Sequence, residues 1–308
     1  MWMYILRRTL LMVPIFFIVS VIVFSLIHIV PGNPIDNLMG PGMTKAHEEK
    51  LIRQYNLDKP LPVQYGIWVK NLFNGDLGSS IIEKRPVTEL LAHHLPYSIS
   101  LGLTALALSF ILGVSMGVIS AAAKNTIFDH LAMVTALFGV TIPAFWLGLI
   151  LILIFAVQLT WFPVSGSGDL ASLVLPAVTV GLGGAGLIAR VTRVSMLEVA
   201  SKDFIVMLHA KGLGKKAILL RHILRNALIP VITILGLRIG WVLGGAVTVE
   251  IVFGRPGLGQ LLITGLFRRD YPVIQGAMLL LAMGIMMGTF LADILYAVTD
   301  PRVRDQHR

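Results

Sequence analysis

The sequence of 308 residues has no cysteine and few charged residues. Without cysteine, the chain can form no disulfide bond, no thiolate metal site and no thiol nucleophile. Charged residues make up 13% of the chain, about half of the roughly 25% that is usual in soluble domains, whereas apolar residues make up 56%. This balance excludes an ordinary soluble domain and predicts a protein that crosses a membrane several times.

Sequence motifs for nucleotide hydrolysis and for hydrolytic catalysis are also missing. The nearest match to a phosphate-binding GxxxxGK[ST] loop is Gly212-Leu213-Gly214-Lys215-Lys216, which lacks the glycine spacing and the hydroxyl residue. No HExxH motif occurs, and no apolar segment holds a pair of carboxylates. The one GxSxG match, Gly113-Val114-Ser115-Met116-Gly117, lies inside a predicted membrane span and not at the strand-to-helix turn that a hydrolase nucleophile needs. We therefore predict that the chain is not an enzyme and that it binds no cofactor itself.

Six apolar segments are long enough to cross a hydrocarbon core of about 30 Å, which takes roughly 20 helical residues. They cover residues 9–30, 98–123, 131–159, 170–189, 227–249 and 273–292. We therefore predict an all-α membrane protein with six transmembrane helices. Pro143 predicts a kink in the third helix. Four glycines between 181 and 186 predict a small-residue packing surface on the fourth, which we expect to continue as a helix to Ala200.

The distribution of Lys and Arg predicts that both termini are cytoplasmic. Eight basic residues lie in 190–225, and three more follow the last predicted span. The largest segment on the opposite side, 31–96, balances seven basic residues with seven acidic ones. Because positive charge accumulates on the cytoplasmic side, topology explains the net charge of +9, and no nucleic-acid partner is expected.

This topology divides the chain into four parts. We predict a first transmembrane helix in residues 1–30, an extracytoplasmic insertion in 31–96, a five-helix transmembrane core in 97–300 and a cytoplasmic tail in 301–308. Within the insertion we predict two helices, over 44–55 with Thr44 as N-cap and over 61–72. The insertion is interpreted as a lid on the outer mouth, a docking surface for a delivery protein, or both.

The cytoplasmic loop 198–226, between the fourth and fifth spans, carries the signals of a short helix. Ser201 is a predicted N-cap, Asp203 stands in the first turn, and Lys211-Gly212 supplies a cation and a residue that tolerates positive φ at the end. These signals predict a helix over 202–211. A loop with its own helix between two spans predicts a cytoplasmic partner.

The side chains of this loop repeat with helical spacing. Phe204, Met207 and Leu208 share one apolar face with Lys211 at its edge, which predicts that the face docks into a groove of the partner. Residues 215–228 show a second amphipathic pattern, with Leu220, Ile223, Leu224, Ala227 and Leu228 on one side. This second helix is predicted to lie at the membrane interface and to lead into the fifth span.

The loop also carries a specific resemblance. Ala210-Lys211-Gly212-Leu213 and the run from Arg221 to Pro230 resemble the coupling loop of ABC importer permeases, most closely the peptide/nickel subfamily. Similar pieces elsewhere are Pro31-Gly32-Asn33-Pro34, Gly75-Asp76-Leu77-Gly78, Pro256-Gly257-Leu258-Gly259 and the run from Arg269 to Ile274. The chain departs from the subfamily at Val206 and His209, where relatives usually have arginine.

The resemblance implies a type I ABC importer transmembrane domain, with the short helix as the coupling helix that contacts an ATPase subunit. The residues so assigned are Lys202, Asp203, Phe204, Met207, Leu208, His209, Ala210, Lys211, Gly212 and Leu213. It also implies a second homologous permease, two ATPase subunits that bind ATP and Mg, an external solute-binding protein and a place in the bacterial inner membrane. The implied substrate is a di- or oligopeptide, with nickel, a metal chelate and glutathione left open.

Candidate residues of the substrate pathway are Arg238, Glu250, Pro256, Gly257, Gly259 and Asp270. Arg238 lies midway along the fifth predicted span, where a charge costs about 2.5–3.5 kcal/mol on insertion scales. It is interpreted either as a structural residue, in an ion pair or in hydrogen bonds to span carbonyls, or as a binding group for a substrate carboxylate. Pro256 to Gly259 are expected to form a loop that contacts the binding protein or the substrate, with glycine required if φ is positive.

Other classes are less consistent with the sequence. An ion-coupled secondary transporter should show an internal repeat and paired ionisable residues at the midplane. A membrane-embedded enzyme needs a nucleophile and a base, and no such set is present. Adjacent His93 and His94 could bind a metal, but in a polar outer loop such residues are more often solvated, so no metal site is predicted.

Overall fold

A computed structural model describes residues 2–29, 52, 58–244 and 246–299. Within them the chain forms helices and a single isolated β-bridge between Ser79 and Pro86. The helices are α1 (Trp2–Ile29), α2 (Leu61–Phe73), α3 (Val87–Ala122), α4 (Ile127–Thr141), α5 (Ala144–Gln158), α6 (Ala171–Ala200), α7 (Asp203–Ala210), α8 (Lys215–Ile239), α9 (Trp241–Gly244), α10 (Val247–Val252), α11 (Leu258–Arg268) and α12 (Tyr271–Thr299).

Five of these helices, α1, α3, α6, α8 and α12, are long and apolar enough to cross a membrane. The sixth predicted span is the pair α4 and α5, which is bent by 108°. The break is at Ile142, which has extended backbone (φ −76°, ψ 128°) because it precedes Pro143. The predicted kink is therefore confirmed.

The packing of α3 on α6 supports counting the bent pair as one span. Residues later in α3 contact residues later in α6, as in the pairs Ala105–Gly181, Gly113–Ile188 and Gly117–Thr192, so the two helices run in the same direction. Two parallel spans require the chain between them to return across the membrane. The described residues thus hold up to six candidate spans, in agreement with the prediction.

The glycines of α6 permit this close packing. A Cβ atom on Gly184 would lie 2.2 Å from Ser109 Oγ of α3, and one on Gly186 would lie 2.2 Å from the carbonyl oxygen of Ala136 in α4. Small residues at such positions let helix backbones approach each other in a membrane. The predicted small-residue surface is confirmed, and so is the continuation of α6 to Ala200.

The fifth span differs from its predicted bounds of 227–249. Helix α8 begins at Lys215 and ends at Ile239, and the chain then continues through the short helices α9 and α10. The turn at Gly240 packs so closely on α12 that a Cβ atom on Gly288 would lie 2.4 Å from Gly240 Cα. Hydropathy alone does not reveal this break, because the residues on both sides of it are apolar.

The outer insertion is partly described. Helix α2 confirms the second predicted helix, and it packs on α1 through aromatic contacts and a 2.7 Å hydrogen bond between Tyr65 Oη and Ser20 Oγ. Of the predicted helix over 44–55, only residue 52 lies inside the described part of the chain. Helix α3 begins at Val87, well before the predicted span at 98.

The early start of α3 corrects the interpretation of the two adjacent histidines. His93 and His94 lie on this helix and not in a loop, with ring centroids 5.2 Å apart. His94 Nδ1 is 2.7 Å from the carbonyl oxygen of Leu90, one turn earlier. Among the described residues, no three His, Asp or Glu side chains are grouped so that they could hold a metal ion.

The first and last spans are joined at one end. Arg8 Nη1 of α1 lies 2.9 Å from Asp293 Oδ2 of α12. Because Arg8 is near the start of α1 and Asp293 is near the end of α12, the beginning of the first span and the end of the last span lie on the same side. This agrees with the predicted placement of both termini on one side of the membrane.

Candidate coupling and transport sites

The short helix predicted over 202–211 is present as α7, but its N-cap differs from the prediction. Lys202 is the N-cap residue, with extended backbone (φ −80°, ψ 145°) and no side-chain capping bond. Ser201 Oγ instead donates to the carbonyl oxygen of Glu198 at the end of α6, at 2.8 Å. Asp203 stands in the first turn as predicted, and Gly212 follows the helix with a φ of +80°. The predicted end of the helix is thus confirmed.

Helix α7 presents two different apolar faces. Ile205 is buried in a cluster with Met196 and Val199 of α6 and with Ile218, Ile223 and Ala227 of α8, against which Phe204 and Leu208 also pack. Val206 and Met207 point outward, with 68% and 52% of their surface exposed. The predicted single face is therefore wrong for Met207, because Phe204 and Leu208 are used inside the chain.

The predicted interfacial helix 215–228 is the first part of α8 and not a separate element. Residues 218–223 are π-helical, which inserts one extra residue per turn. As a result Ile218, Ile223 and Ala227 face inward, whereas Leu220 is exposed. The prediction put Leu220 on the same side as Ile223 and Ala227, because it assumed regular α-helical spacing.

The sequence predictions missed a buried ion pair, which we call the Asp129 cluster. Arg193 of α6 donates from Nε to Asp129 Oδ1 and from Nη2 to Asp129 Oδ2, both at 2.8 Å. Ser120 Oγ of α3 and the backbone N–H of Asn125 donate to the same carboxylate. One carboxylate at the start of α4 therefore joins the ends of three spans beside the apolar cluster that holds α7.

A second buried carboxylate belongs to Glu250 in α10. Its Oε1 accepts a hydrogen bond from Ser98 Oγ of α3 at 2.6 Å, and its Oε2 accepts from the backbone N–H groups of Gly259 and Gln260 at 2.8 and 3.3 Å. Ser98 Oγ in turn accepts from the backbone N–H of Leu258 at 2.8 Å. This Glu250 cluster binds the segment between α10 and α11 to α3.

Gly257 and Gly259 are required here for space and not for positive φ. Gly257 has a φ of −92°, and a Cβ atom on it would lie 2.2 Å from Glu250 Oε1. A Cβ atom on Gly259 would lie 2.6 Å from Val247 Cα. The residue with positive φ in this loop is Gly254, at +57°. The loop therefore folds closely around the Glu250 carboxylate.

Asp270 is buried at a different place. Its Oδ2 accepts from Ser80 Oγ and from the backbone N–H of Ile82, and its Oδ1 accepts from the backbone N–H of Ile81. These bonds attach the end of the outer insertion to the loop before α12. The insertion therefore binds this carboxylate. Because Asp270 is far from Ser80 in sequence, no local pattern predicts the contact.

Arg238 lies in the last turn of α8 and is packed against α6. A Cβ atom on Gly184 would lie 3.1 Å from Arg238 Nη1, so glycine at that position makes room for the guanidinium. Arg238 Nε is buried without a hydrogen-bond partner in the described structure. Gly184 and its neighbour Ser109 are near the middle of α6 and α3. The predicted central depth of Arg238 is therefore retained, although α8 ends one residue later.

Of the predicted pathway residues, the fold brings together Glu250, Gly257 and Gly259, while Arg238 and Asp270 lie at separate places. Ser98 and Arg255 were missed. Arg255 is buried beside the Glu250 cluster, where Nη2 donates to Ser100 Oγ at 2.9 Å and Nε donates to the carbonyl oxygen of Tyr97 at 3.3 Å. The one sequence signal that could have indicated Arg255 is its charge, because it lies next to apolar helices.

Two family models cover almost the whole chain. Residues 113–305 match the binding-protein-dependent transport system inner membrane component, and residues 1–102 match the N-terminal model of the same kind of component. The chain is 39% identical over 301 residues to the glutathione transport system permease protein GsiC of Escherichia coli O6:H1, covering 98% of both chains. It is 40% identical to a Brucella abortus (strain 2308) protein named for a peptide transport system, covering 97% of this chain and 98% of the relative.

Solved structures show the same fold at lower identity. The inward-facing MetNI methionine ABC transporter matches with a TM-score of 0.56 at 20% identity, over 68% of this chain and 96% of its own. An amino acid ABC transporter solved with histidines matches with a TM-score of 0.51 at 16% identity, over 69% and 94%. Together with the six candidate spans and α7, these findings show that the chain belongs to the family of inner membrane components of binding-protein-dependent transport systems, as a permease subunit of an ABC transporter.

Proposed function

We propose that the chain is a permease subunit of an importer that takes up di- or oligopeptides, including small peptides such as glutathione, with energy from ATP. The relatives named for glutathione and peptide transport support this substrate class. Nickel or a metal chelate is the alternative substrate within the same machinery. Family membership favours this ATP-driven machinery over an ion-coupled secondary transporter.

The observation that carries the proposal is the form of α7. This helix lies between two spans and packs on the ends of α3, α6 and α8 through Ile205 and Leu208. It leaves Val206 and Met207 exposed side by side. A short helix that is anchored on one face and apolar on the other is suited to insert into a groove of a partner and to move with it.

The partner assigned to this helix is an ATPase subunit that binds ATP and Mg. We propose that the contact is made by the exposed residues among 202–213, with Val206 and Met207 at its centre. The complex would then contain this chain, a second homologous permease, two ATPase subunits and an external binding protein. Residues 31–96 would meet that binding protein on the opposite side of the membrane.

The test introduces charge on the exposed face of α7. Val206→Glu and Met207→Glu should release the ATPase subunits during co-purification, because a carboxylate in an apolar groove is strongly unfavourable. The helix itself should be retained, since Ile205 and Leu208 are unchanged. Lys124→Glu is the control. It reverses an exposed charge in the turn between α3 and α4 and should leave the complex intact. Retention of the ATPases by both α7 variants would contradict the assignment.

The substrate class is tested separately. Native mass spectrometry of the cognate binding protein should show a bound peptide or glutathione, and proteoliposomes that contain the complete complex should take up that ligand only with ATP inside. Uptake of a nickel chelate, with no uptake of peptides or glutathione, would replace the proposed substrate and leave the ABC permease assignment unchanged.

A further inference from the structure

Three buried serines divide α3 into three levels. Ser98, Ser109 and Ser120 follow one another at intervals of eleven residues. Eleven residues make about three helical turns, so the three side chains share one face of α3 and successive levels are about 16 Å apart. Ser98 and Ser120 are thus about 33 Å apart, close to the thickness of a hydrocarbon core. Ser109 lies midway between them, at the level expected for the middle of the membrane.

At the first and third levels a carboxylate is hydrogen-bonded within this chain. At Ser98 the Glu250 carboxylate accepts one hydroxyl and two backbone N–H groups. At Ser120 the Asp129 carboxylate is paired with Arg193 through two parallel hydrogen bonds. Each of these levels therefore contains a carboxylate whose donors come from this chain.

The middle level contains a cation without an anion. Arg238 Nη1 is next to Gly184, which also contacts Ser109. Ser109 Oγ donates to the carbonyl oxygen of Gly181, so its proton is used within the helix pair. Within the described residues the Arg238 side chain makes no hydrogen bond or ion pair, and its Nε is buried.

Within the part of the chain that the structure describes, no acidic residue is placed at this level. No Asp or Glu occurs in the sequence between 98 and 128, 130 and 168, 170 and 197, or 271 and 292. Glu89 and Glu198 lie near the outer end of α3 and the far end of α6, away from this level. The carboxylates of Asp129, Glu250 and Asp293 are engaged by other donors, Asp293 by Arg8. None of the described carboxylates is therefore placed to pair with Arg238, and a partner from outside this chain is expected.

An unpaired guanidinium in the middle of a membrane requires such a partner. Charged residues at this depth face a protein interior or an aqueous cavity, because exposure to lipid is strongly unfavourable. Arg238 is partly buried in the isolated chain, with its Nη1 beside Gly184 and part of its surface open. The open side is therefore expected to face the space between this chain and the second permease.

We propose that Arg238 binds a carboxylate of the transported peptide as the peptide passes the middle of the membrane. The inference rests on the proposed function. A guanidinium stays charged and offers two parallel donors that match a carboxylate. Since the chain itself leaves these donors unpaired, the peptide does not compete with an internal ion pair, and it can leave again when the complex changes conformation.

The test compares two forms of one peptide in proteoliposomes that contain the complete complex and a saturated binding protein. Arg238→Gln should reduce uptake of the free-acid peptide about tenfold or more relative to uptake of its C-terminal amide, since a hydrogen-bonded ion pair is lost. Arg238→Lys should show a smaller selective loss. Arg190→Gln removes an exposed arginine of α6 and is the matched control, with no selective loss expected.

A second measurement uses the unmodified complex, so it does not depend on the folding of a variant. Phenylglyoxal modification of Arg238, quantified by mass spectrometry, should be reduced by the free-acid peptide during turnover and not by the amide, with Arg190 as internal reference. Equal loss of both peptides in Arg238→Gln, or no protection of Arg238, would overturn the inference in favour of a structural contact with the second permease. If the unmodified complex takes up neither peptide, the proposed substrate itself is wrong.

Discussion

The Glu250 cluster and the Asp129 cluster each bury one carboxylate, but they use different donors. Glu250 accepts from Ser98 Oγ and from two backbone N–H groups, so its closest donors are uncharged. Asp129 is paired with Arg193, whose Nε and Nη2 both lie 2.8 Å from it. The first cluster holds a loop on one helix, whereas the second joins three spans.

This difference indicates different tasks. Backbone donors are available only while the loop between α10 and α11 keeps its conformation, so the Glu250 cluster opens when that loop moves. An arginine side chain can keep its two bonds while the helices shift slightly, because the donors are on a flexible stem. The Asp129 cluster, which adjoins the packing of α7, is therefore suited to keep the spans together during coupling.

The largest effect is expected from removing the charge that balances Asp129. Arg193→Gln leaves a buried carboxylate without its cation, which is among the most destabilising changes in a protein interior. The thermal midpoint of the purified complex should fall by several degrees or more, and less complex should assemble in the membrane. The double variant Asp129→Asn with Arg193→Gln should recover part of the loss, because it leaves no unpaired charge.

Arg190→Gln is the control for this variant, since Arg190 stands one turn away on α6 and is exposed. Its midpoint should match that of the unmodified complex. If Arg193→Gln and Arg190→Gln behave alike, the ion pair does not hold the spans together, and the contrast between the two clusters disappears.

The next largest effect concerns α7, which adjoins the Asp129 cluster and not the Glu250 cluster. Leu208→Pro removes a backbone donor within the helix and costs about 3 kcal/mol locally. Uptake should fall, and the ATPase subunits should dissociate or hydrolyse ATP without transport. The complete complex in proteoliposomes allows both rates to be measured together. Normal ATP-dependent uptake by this variant would show that α7 does not transmit the energy of hydrolysis.

The sequence predicts the parts of this architecture that depend on composition and local spacing. The six apolar segments, the kink at Pro143 and the glycine surface of α6 follow from residue type alone. It does not predict the π-helical start of α8 or the break at Gly240, because regular helical spacing continues through both. These features are set by contacts with α12 and α6.

The two clusters could not be predicted for a related reason. Ser98 and Glu250 are 152 positions apart, and Asp129 and Arg193 are 64 apart, so no local pattern joins them. Glu250 and Gly257 were selected from a family-like loop, but the steric reason for glycine at 257 is visible only when the carboxylate is placed beside it. Arg238 was recognised because a charged residue at that depth is unusual in any span.

A smaller effect is expected from crowding the Glu250 cluster. Gly257→Val would place a side chain on the carboxylate, and overpacking of this kind typically costs about 1–3 kcal/mol. The loop should be displaced, and uptake should fall while the amount of complex in the membrane stays near normal. Gly66→Val on α2 is the matched control, since no atom lies within 4 Å of its added Cβ. Unchanged uptake by Gly257→Val would show that this loop only connects α10 and α11.

The smallest effect is expected from an ion pair that is not buried. Arg85 Nη2 donates to Glu89 Oε1 one turn later, and both side chains are about half exposed. Because water and salt screen such a pair, and because two long side chains lose freedom in forming it, exposed pairs contribute little to stability. Arg85→Gln should therefore leave the thermal midpoint and uptake unchanged within error, although it breaks the same kind of bond as Arg193→Gln. A loss as large as that of Arg193→Gln would mean that burial is not what distinguishes the Asp129 cluster.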